Sequence, residues 1–342
     1  MGGLGGSRDR PTGMGGAVRY IVGVDLGGTS IVVGTMPEDG SALHAPQMRP
    51  TPVSEGPDAV VKRILQLIDR STTAARDKLG DIEIAGVGVG SPGPLDTKAG
   101  VVIFTPNLGW RNMPLRDRIS DGTGLPATLD NDANCATYGE WWRGAARGAD
   151  LVVGLTIGTG IGGGIVHHGR IFHGASDVAA EIGHMTIDMT GRLCKCGNYG
   201  CLEAYASGPA IAARARENVQ SGTPSALPEY VRGDLTQITA QVVYEAAADG
   251  DELALEVVKD TAKFLGAGIA SLINILNPEV VVVAGGVTLA GDRLFTPLKA
   301  EVKRRAFRPA VDACRIVPGA LTGTAGVYGA VAAFKAQMWD TV

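Results

Sequence analysis

Val22-Gly23-Val24-Asp25-Leu26-Gly27-Gly28-Thr29, set over Val153-Gly154-Leu155-Thr156-Ile157-Gly158-Thr159-Gly160, decides the fold. In each stretch an apolar run ends in a glycine-rich turn and a second apolar run follows, from Ile31 in one and Ile161 in the other. Strand, turn and returning strand make a hairpin, not a strand-to-helix turn. A P-loop needs Gly-Lys-Ser/Thr opening a helix, so it is excluded, and a dinucleotide fingerprint fails for the same reason. Glycines at such turns let backbone N–H groups approach a phosphate. Asp-x-Gly-Gly-Thr taken once fits an ordinary hairpin equally well. Its repetition about 130 positions later places one phosphate loop in each of two halves, facing across a cleft.

The bulk numbers agree with a layered α/β protein. The chain has 342 residues, enough for two domains with real cores. It is 45% hydrophobic but only 5% aromatic, and 50 residues are glycine, which favours α/β layers with many tight turns. A net charge of −4 argues against a nucleic-acid partner. No apolar run has membrane-spanning length. Residues 1–16 are glycine-rich with Arg8 and Arg10 and lack an apolar signal core, so 1–18 reads as a disordered tail, with Met14 an alternative start.

Between and after the hairpins the periodicity alternates between helix and strand. Residues 56–79 carry helical spacing at Val60, Ile64, Leu67 and Ile68. A strand over 81–89 leads into Gly90-Ser91-Pro92-Gly93-Pro94, a loop at a strand end where α/β proteins bind ligands. A short strand over 100–104 precedes Pro106-Asn107-Leu108-Gly109-Trp110, and a short helix covers 114–119. A strand over 126–130 delivers Asn131-Asp132-Ala133-Asn134, with a helix over 133–142. Helices are expected over 207–219, 239–248, 252–276 and 323–339, with a polar loop over 220–235. The apolar strand 280–284 runs into Gly285-Gly286, which permit close approach of something flat, such as a purine, or simply form a turn.

The densest chemical signal is His184-x9-Cys194-Lys195-Cys196-Gly197-Asn198-Tyr199-Gly200-Cys201-Leu202-Glu203. Three thiols and one imidazole form a closed set suited to tetrahedral structural zinc. Gly197 and Gly200 allow the turns that bring Cys196 and Cys201 to one ion. Glu181 lies three residues before His184, and Glu203 two after Cys201, so the zinc site would hold carboxylates in place without doing the chemistry. Clustered thiols fit a reducing, cytoplasmic setting, with Cys135 and Cys314 as buried spectators.

The Asp25–Thr29 hairpin, Asn131-Asp132-Ala133-Asn134, and Glu181-Ile182-Gly183-His184 with Cys194, Cys196, Cys201 and Glu203 together resemble the ROK family of repressors and sugar kinases. Gly93-Pro94 and the 106–110 loop are most similar to its bacterial ATP-dependent glucokinases. The resemblance spans residues 20–333. It implies a two-lobed, actin-like sugar-kinase ATPase fold with duplicated β-sheet lobes and a zinc-binding loop. The N-terminal lobe would comprise 19–132 plus the helix 325–340, and the C-terminal lobe 133–324. Zn²⁺ would be held by His184, Cys194, Cys196 and Cys201. Sugar contacts carry over to Gly93, Asn107, Asn131, Asp132, Glu181, His184 and Glu203. ATP phosphates would lie on Gly27, Gly28, Thr29, Thr159 and Gly160, with Mg²⁺ near Asp25 and adenosine on Gly285 and Gly286. Many members carry Lys after the Gly-Gly-Thr turn, where this chain has Ser30. Family repressors carry a winged helix ahead of the first hairpin, and only about 17 residues precede Arg19 here, so the kinase branch is expected.

A sugar hydroxyl is a poor nucleophile at neutral pH, so a carboxylate must orient it and take its proton. Asp132, at the end of an apolar strand, is the expected base. Its alternative role is a helix N-cap, and Glu181 and Glu203 are the alternative bases. The expected activity is phosphorylation of glucose by ATP. Other hexoses (N-acetylglucosamine, N-acetylmannosamine, mannose, fructose), a polyphosphate donor and a sugar sensor without turnover stay open. The resemblance implies a homodimer or homotetramer, with no nucleic-acid or membrane partner.

Overall fold

The structure, a computed structural model, describes residues 18–342; the expected tail falls outside the described residues except for Val18. The chain opens with β1 (Arg19–Leu26), β2 (Ser30–Pro37) and β3 (His44–Pro50), then α1 (Pro57–Leu79) and β4 (Glu83–Ser91). A small sheet follows: β5 (Leu95–Asp96), β6 (Val101–Thr105) and β7 (Trp110–Met113). Then come α2 (Leu115–Thr123), β8 (Ala127–Asn131) and α3 (Asp132–Trp142).

The second half repeats this plan with β9 (Leu151–Ile157), β10 (Ile161–His167) and β11 (Arg170–Ile171). Its helices are α4 (Glu203–Ala206), α5 (Gly208–Gln220), α6 (Leu227–Tyr230), α7 (Ala240–Ala248) and α8 (Glu252–Leu276). After them come β12 (Val280–Ala284), α9 (Asp292–Arg305), α10 (Arg308–Ala313), β13 (Arg315–Pro318) and α11 (Ala325–Trp339).

The two large sheets have the same strand order. The first runs β3-β2-β1-β4-β8 and the second β11-β10-β9-β12-β13. In each, the three leading strands are antiparallel, and the next two run parallel to the hairpin's first strand. The sequence repeat is therefore a repeat of whole five-stranded sheets. Both hairpin turns are three residues long, 27–29 and 158–160.

Three apolar clusters fill the interior among the described residues. One joins the first sheet to α1 and α2, through residues such as Val24, Ile64 and Ile119. Another joins the second sheet to α5, α7, α8 and α9. The third lies between the sheets and contains Ile21, Tyr138, Val152, Val280, Val331 and Phe334. Here α3 and α11 pack on each other, α11 against β1 and β4 and α3 against β9 and β10. Small residues make this middle layer thin. A Cβ on Gly88 would lie 2.0 Å from the Ala330 carbonyl oxygen, and one on Gly329 1.6 Å from that of Cys135. Abundant glycine here thus reflects close backbone approach as well as turns.

Local signals account for the helix ends. Pro57 opens α1 at its first position, and Gly80 closes it. The Asp251 side chain caps α8, and Asn277 ends it in the left-handed conformation. Several elements went unread in the sequence: β3, α9, α10 and β13. The segment 220–235, expected to be a polar loop, holds the short helix α6. Cys135 is buried as expected, but Cys314 is only half-buried.

Candidate active site between the two sheets

The ends of β1, β4, β8 and β9 converge on a cleft of about 470 Å³. Its wall includes Gly27, Gly28 and Thr29 from one hairpin turn and Gly158, Thr159 and Gly160 from the other. Gly93, Asn107, Asn131, Asp132, Glu181, His184, Glu203, Gly285 and Gly286 also line it. The expected substrate and phosphate residues are thus brought to one place. Asp25 is the exception, since it does not reach that wall.

Asp25 lies behind the first turn, where a Cβ on Gly326, in the first turn of α11, would come 2.4 Å from its carboxyl carbon. Burial, and then the Asp132 charge, raise its pKa to about 7. No cationic side chain pairs with it among the described residues. A half-buried carboxylate without a cationic partner fits a bound divalent cation such as Mg²⁺.

Asp132 is the first residue of α3. The helix cap falls on its neighbour: Asn131 Oδ1 accepts from the Ala133 N–H at 2.9 Å and the Asn134 N–H at 3.1 Å. The N-cap alternative for Asp132 is therefore corrected, and of the Asn131 side chain only the NH₂ group stays uncommitted. Burial raises the Asp132 pKa to about 6; the Ala133 N–H lowers it and the Glu181 charge raises it. Glu181 is itself raised by desolvation, with His184 opposing and Glu203 reinforcing the shift. Glu203 is more committed, since its Oε2 accepts from the Ile161 N–H at 2.8 Å. Asn107, from the turn between β6 and β7, sits against the phosphate turn: a Cβ on Gly28 would be 3.3 Å from that of Asn107.

The loop from His184 to Glu203 brings four donors together. One atom each from His184, Cys194, Cys196 and Cys201 lies within 4.8 Å of all the others. Cys196 Sγ and Cys201 Sγ are 3.7 Å apart, and Cys194 Sγ is 3.9 Å from His184 Nδ1. These are close to the edges of a tetrahedron with metal–sulfur bonds of about 2.3 Å. The set fits zinc, and binding through Nδ1 would leave His184 Nε2 for the cleft. Burial and the neighbouring thiols push Cys201 up to about 12, whereas the Asn198 backbone N–H lowers Cys196, so a cation is what would make Cys201 a thiolate. Gly200 makes the fold-back possible, with φ of +71° and Asp188 O only 1.6 Å from where its Cβ would be.

A second, more apolar cavity of about 400 Å³ adjoins the cleft and shares Ile157, Gly158 and Gly286 with it. Tyr244, Gln241 and Arg293 line it, and the Tyr244 hydroxyl is buried without a partner. Gly285 has φ of +99° and would place a Cβ 2.1 Å from Ile157 O, so only glycine fits. A Cβ on Gly286 would meet nothing within 4 Å, so packing alone does not require glycine there. Sequence reading missed Tyr244, which reads as core on the apolar face of α7, and Gln241 and Arg293, which read as ordinary surface residues. It also missed Thr51, which ties the end of β3 to the first turn by donating to Gly27 O at 2.7 Å.

The comparisons with known proteins agree. The family described as ROK matches residues 21–337. A glucokinase of Thermotoga maritima is 38% identical over 319 residues, 93% of this chain and 98% of its own length. A glucokinase of Halalkalibacterium halodurans is 39% identical over 91% of this chain and 93% of its own. The solved structure of a ROK family glucokinase from Streptomyces griseus, in complex with glucose and AMPPNP, superposes with a TM-score of 0.79. It is 33% identical, covering 91% of this chain and 98% of that one.

Proposed function

The chain belongs to the ROK family, and from that premise we propose that it is a glucokinase, transferring the ATP γ-phosphoryl group to the 6-hydroxyl of glucose. One observation carries the reading: a single cleft gathers four carboxylates, Asp132, Asp177, Glu181 and Glu203, and the His184 imidazole beside two glycine turns from duplicated hairpins. Asp132 is the base that takes the hydroxyl proton. Glu181, Glu203 and His184 Nε2 hold ring hydroxyls, with Asn107, Gly93 and the Asn131 amide completing the sugar subsite. A site built of paired polar groups rejects sugars that leave them unpaired.

Gly27, Gly28, Thr29, Thr159 and Gly160 cradle the ATP phosphates. The adenosine lies past Gly285 and Gly286 in the adjoining apolar cavity. Asp25 would hold Mg²⁺, which neutralises phosphate charge when bound. His184, Cys194, Cys196 and Cys201 would hold zinc, which fixes the loop that ends in Glu203. The reading includes lobes divided near Asp132, closing on the substrates, and a cytoplasmic homodimer or homotetramer. No helix among the described residues is long and apolar enough to cross a membrane.

ADP release from MgATP across a panel of hexoses tests the proposal. Glucose well above the others is the expected result. Preference for an N-acetylated sugar would keep the kinase and relocate the error to the Gly93 and Asn107 loops. Tight sugar binding without ADP release would indicate a sensor. The pH profile gives a second check. Only ionised Asp132 can accept a proton, and its pKa is raised to about 6. At saturating MgATP, kcat/KM for glucose is therefore expected to be flat above that pH and to fall tenfold per unit well below it. A profile flat down to pH 4.5 would exclude Asp132 as the titrating base.

A further inference from the structure

The residue just before the Asn131–Asp132 pair is the buried carboxylate Asp130, 1% exposed, for which neither the hydrogen-bonded cap nor the proposed chemistry has a use. Its two oxygens collect four donors. Oδ1 accepts from the Asn131 N–H at 2.8 Å and Asn134 Nδ2 at 3.3 Å; Oδ2 accepts from His173 Nε2 at 2.9 Å and Gln337 Nε2 at 3.2 Å. The donors come from the end of β8, the first turn of α3, the connection after β11, and α11. His173 is the one ion-pair partner of Asp130 among the described residues.

The origin of His173 is what matters. It lies on the connection that leads to Glu181 and then to His184, the last residue of the 3-10 turn Ile182–His184. The same connection is fastened to the small sheet, where Asp177 Oδ2 accepts from both the N–H and the Oγ1 of Thr97 at 2.9 Å. The Asp130 hydrogen bond raises the His173 pKa, with burial opposing it, and Asp177 adds to the rise. A hydrogen bond from the Nε2–H is available in the neutral and the charged form alike.

We propose that His173 is a positioning residue for Asp132: by holding Asp130 it fixes the β8–α3 junction against the connection that carries Glu181 and His184. Base and ring-hydroxyl ligands then keep one geometry although they come from different sheets. The inference rests on the kinase reading. Displacements of about 1 Å in such a site can cost 10²-fold in rate.

Three variants test it: His173→Ala, His173→Gln and, as control, Gln337→Ala, which removes a donor to the same oxygen from a helix that carries no substrate ligand. His173→Ala is expected to lose roughly 10- to 100-fold in kcat with KM for MgATP unchanged. His173→Gln, which can place an N–H donor on the same oxygen, is expected to regain most of that rate. Gln337→Ala is expected to keep most of it at a comparable loss in Tm. Wild-type kcat in His173→Ala, no advantage of Gln over Ala, or losses in both sites that merely track Tm would overturn the proposal. Wild-type protein on the hexose panel runs alongside, and no wild-type turnover on any sugar would sink the kinase reading instead. In that event hydrogen exchange of amides 130–136 still decides the positioning claim: faster exchange in His173→Ala supports it, and unchanged exchange overturns it.

Discussion

Asp132→Asn is expected to bind glucose within about threefold of wild type while kcat falls ~10²–10⁴-fold. The substitution changes little else. Asparagine retains an oxygen for the Ala133 N–H that Asp132 Oδ1 accepts at 2.9 Å, and the helix cap belongs to Asn131. The carboxylate being removed is one that burial already disfavours, with a pKa raised to about 6, so Tm should hold or rise. Glucose affinity by calorimetry and turnover by coupled ADP release separate the two effects. Normal turnover would move the base to Glu181, whose pKa is also raised, ahead of Glu203, which already accepts the Ile161 N–H.

Removing the loop metal is the second large effect. Chelation, or Cys196→Ser, is expected to release one zinc per chain, lower Tm, and raise KM for glucose about tenfold or more, which is roughly 1.4 kcal/mol of lost sugar binding. Without the ion, the segment between His184 and Glu203 is held by two isolated β-bridges, Thr186 with Cys201 and Leu193 with Tyr199, by turn hydrogen bonds such as Cys194 N–H to Asn198 O, and by the Arg192–Glu217 pair, with no strand or α-helix of its own beyond His184. Two of the proposed sugar ligands, His184 and Glu203, sit at its ends, so loosening the loop loosens them together. KM for MgATP should be unaffected. Metal analysis by mass spectrometry gives the decisive count: fully active protein containing no zinc would end the zinc reading.

What could be read in the sequence was short-range. The two hairpins announce themselves because apolar strands and glycine turns are contiguous, and the Cys3His set because its spacing is local. The identical order of the two sheets extends that reading. β3 was missed because it is a largely exposed strand with no clean alternation, His44-Ala45-Pro46-Gln47-Met48-Arg49-Pro50. α9 was legible in principle, since Leu294, Leu298 and Val302 share a face, but Pro297 and a run of charges obscure it. The cap on Asn131 and the Asp130–His173 pair could not be read. The first depends on which of two adjacent polar side chains turns back on the helix. The second joins residues 43 positions apart that carry no shared motif. The adjoining cavity was hidden for a similar reason, because Tyr244 on α7 looks like core until Gly286 is placed opposite it.

The middle layer has a consequence for synthesis. Domains generally fold as units as the chain emerges from the ribosome, N-terminal parts first. Here the first sheet cannot cover its inner face from its own half, because α11 lies against β1 and β4 and is translated after every other described element. Gly23 and Gly88 on those strands leave no side chain to shield the gap. The nascent N-terminal half must wait, with one face of its sheet open, until nearly the whole chain has been made. A stalled or shortened chain lacking 325–339 would therefore expose that face and become a client for chaperones, although its second sheet and cysteine loop were already complete.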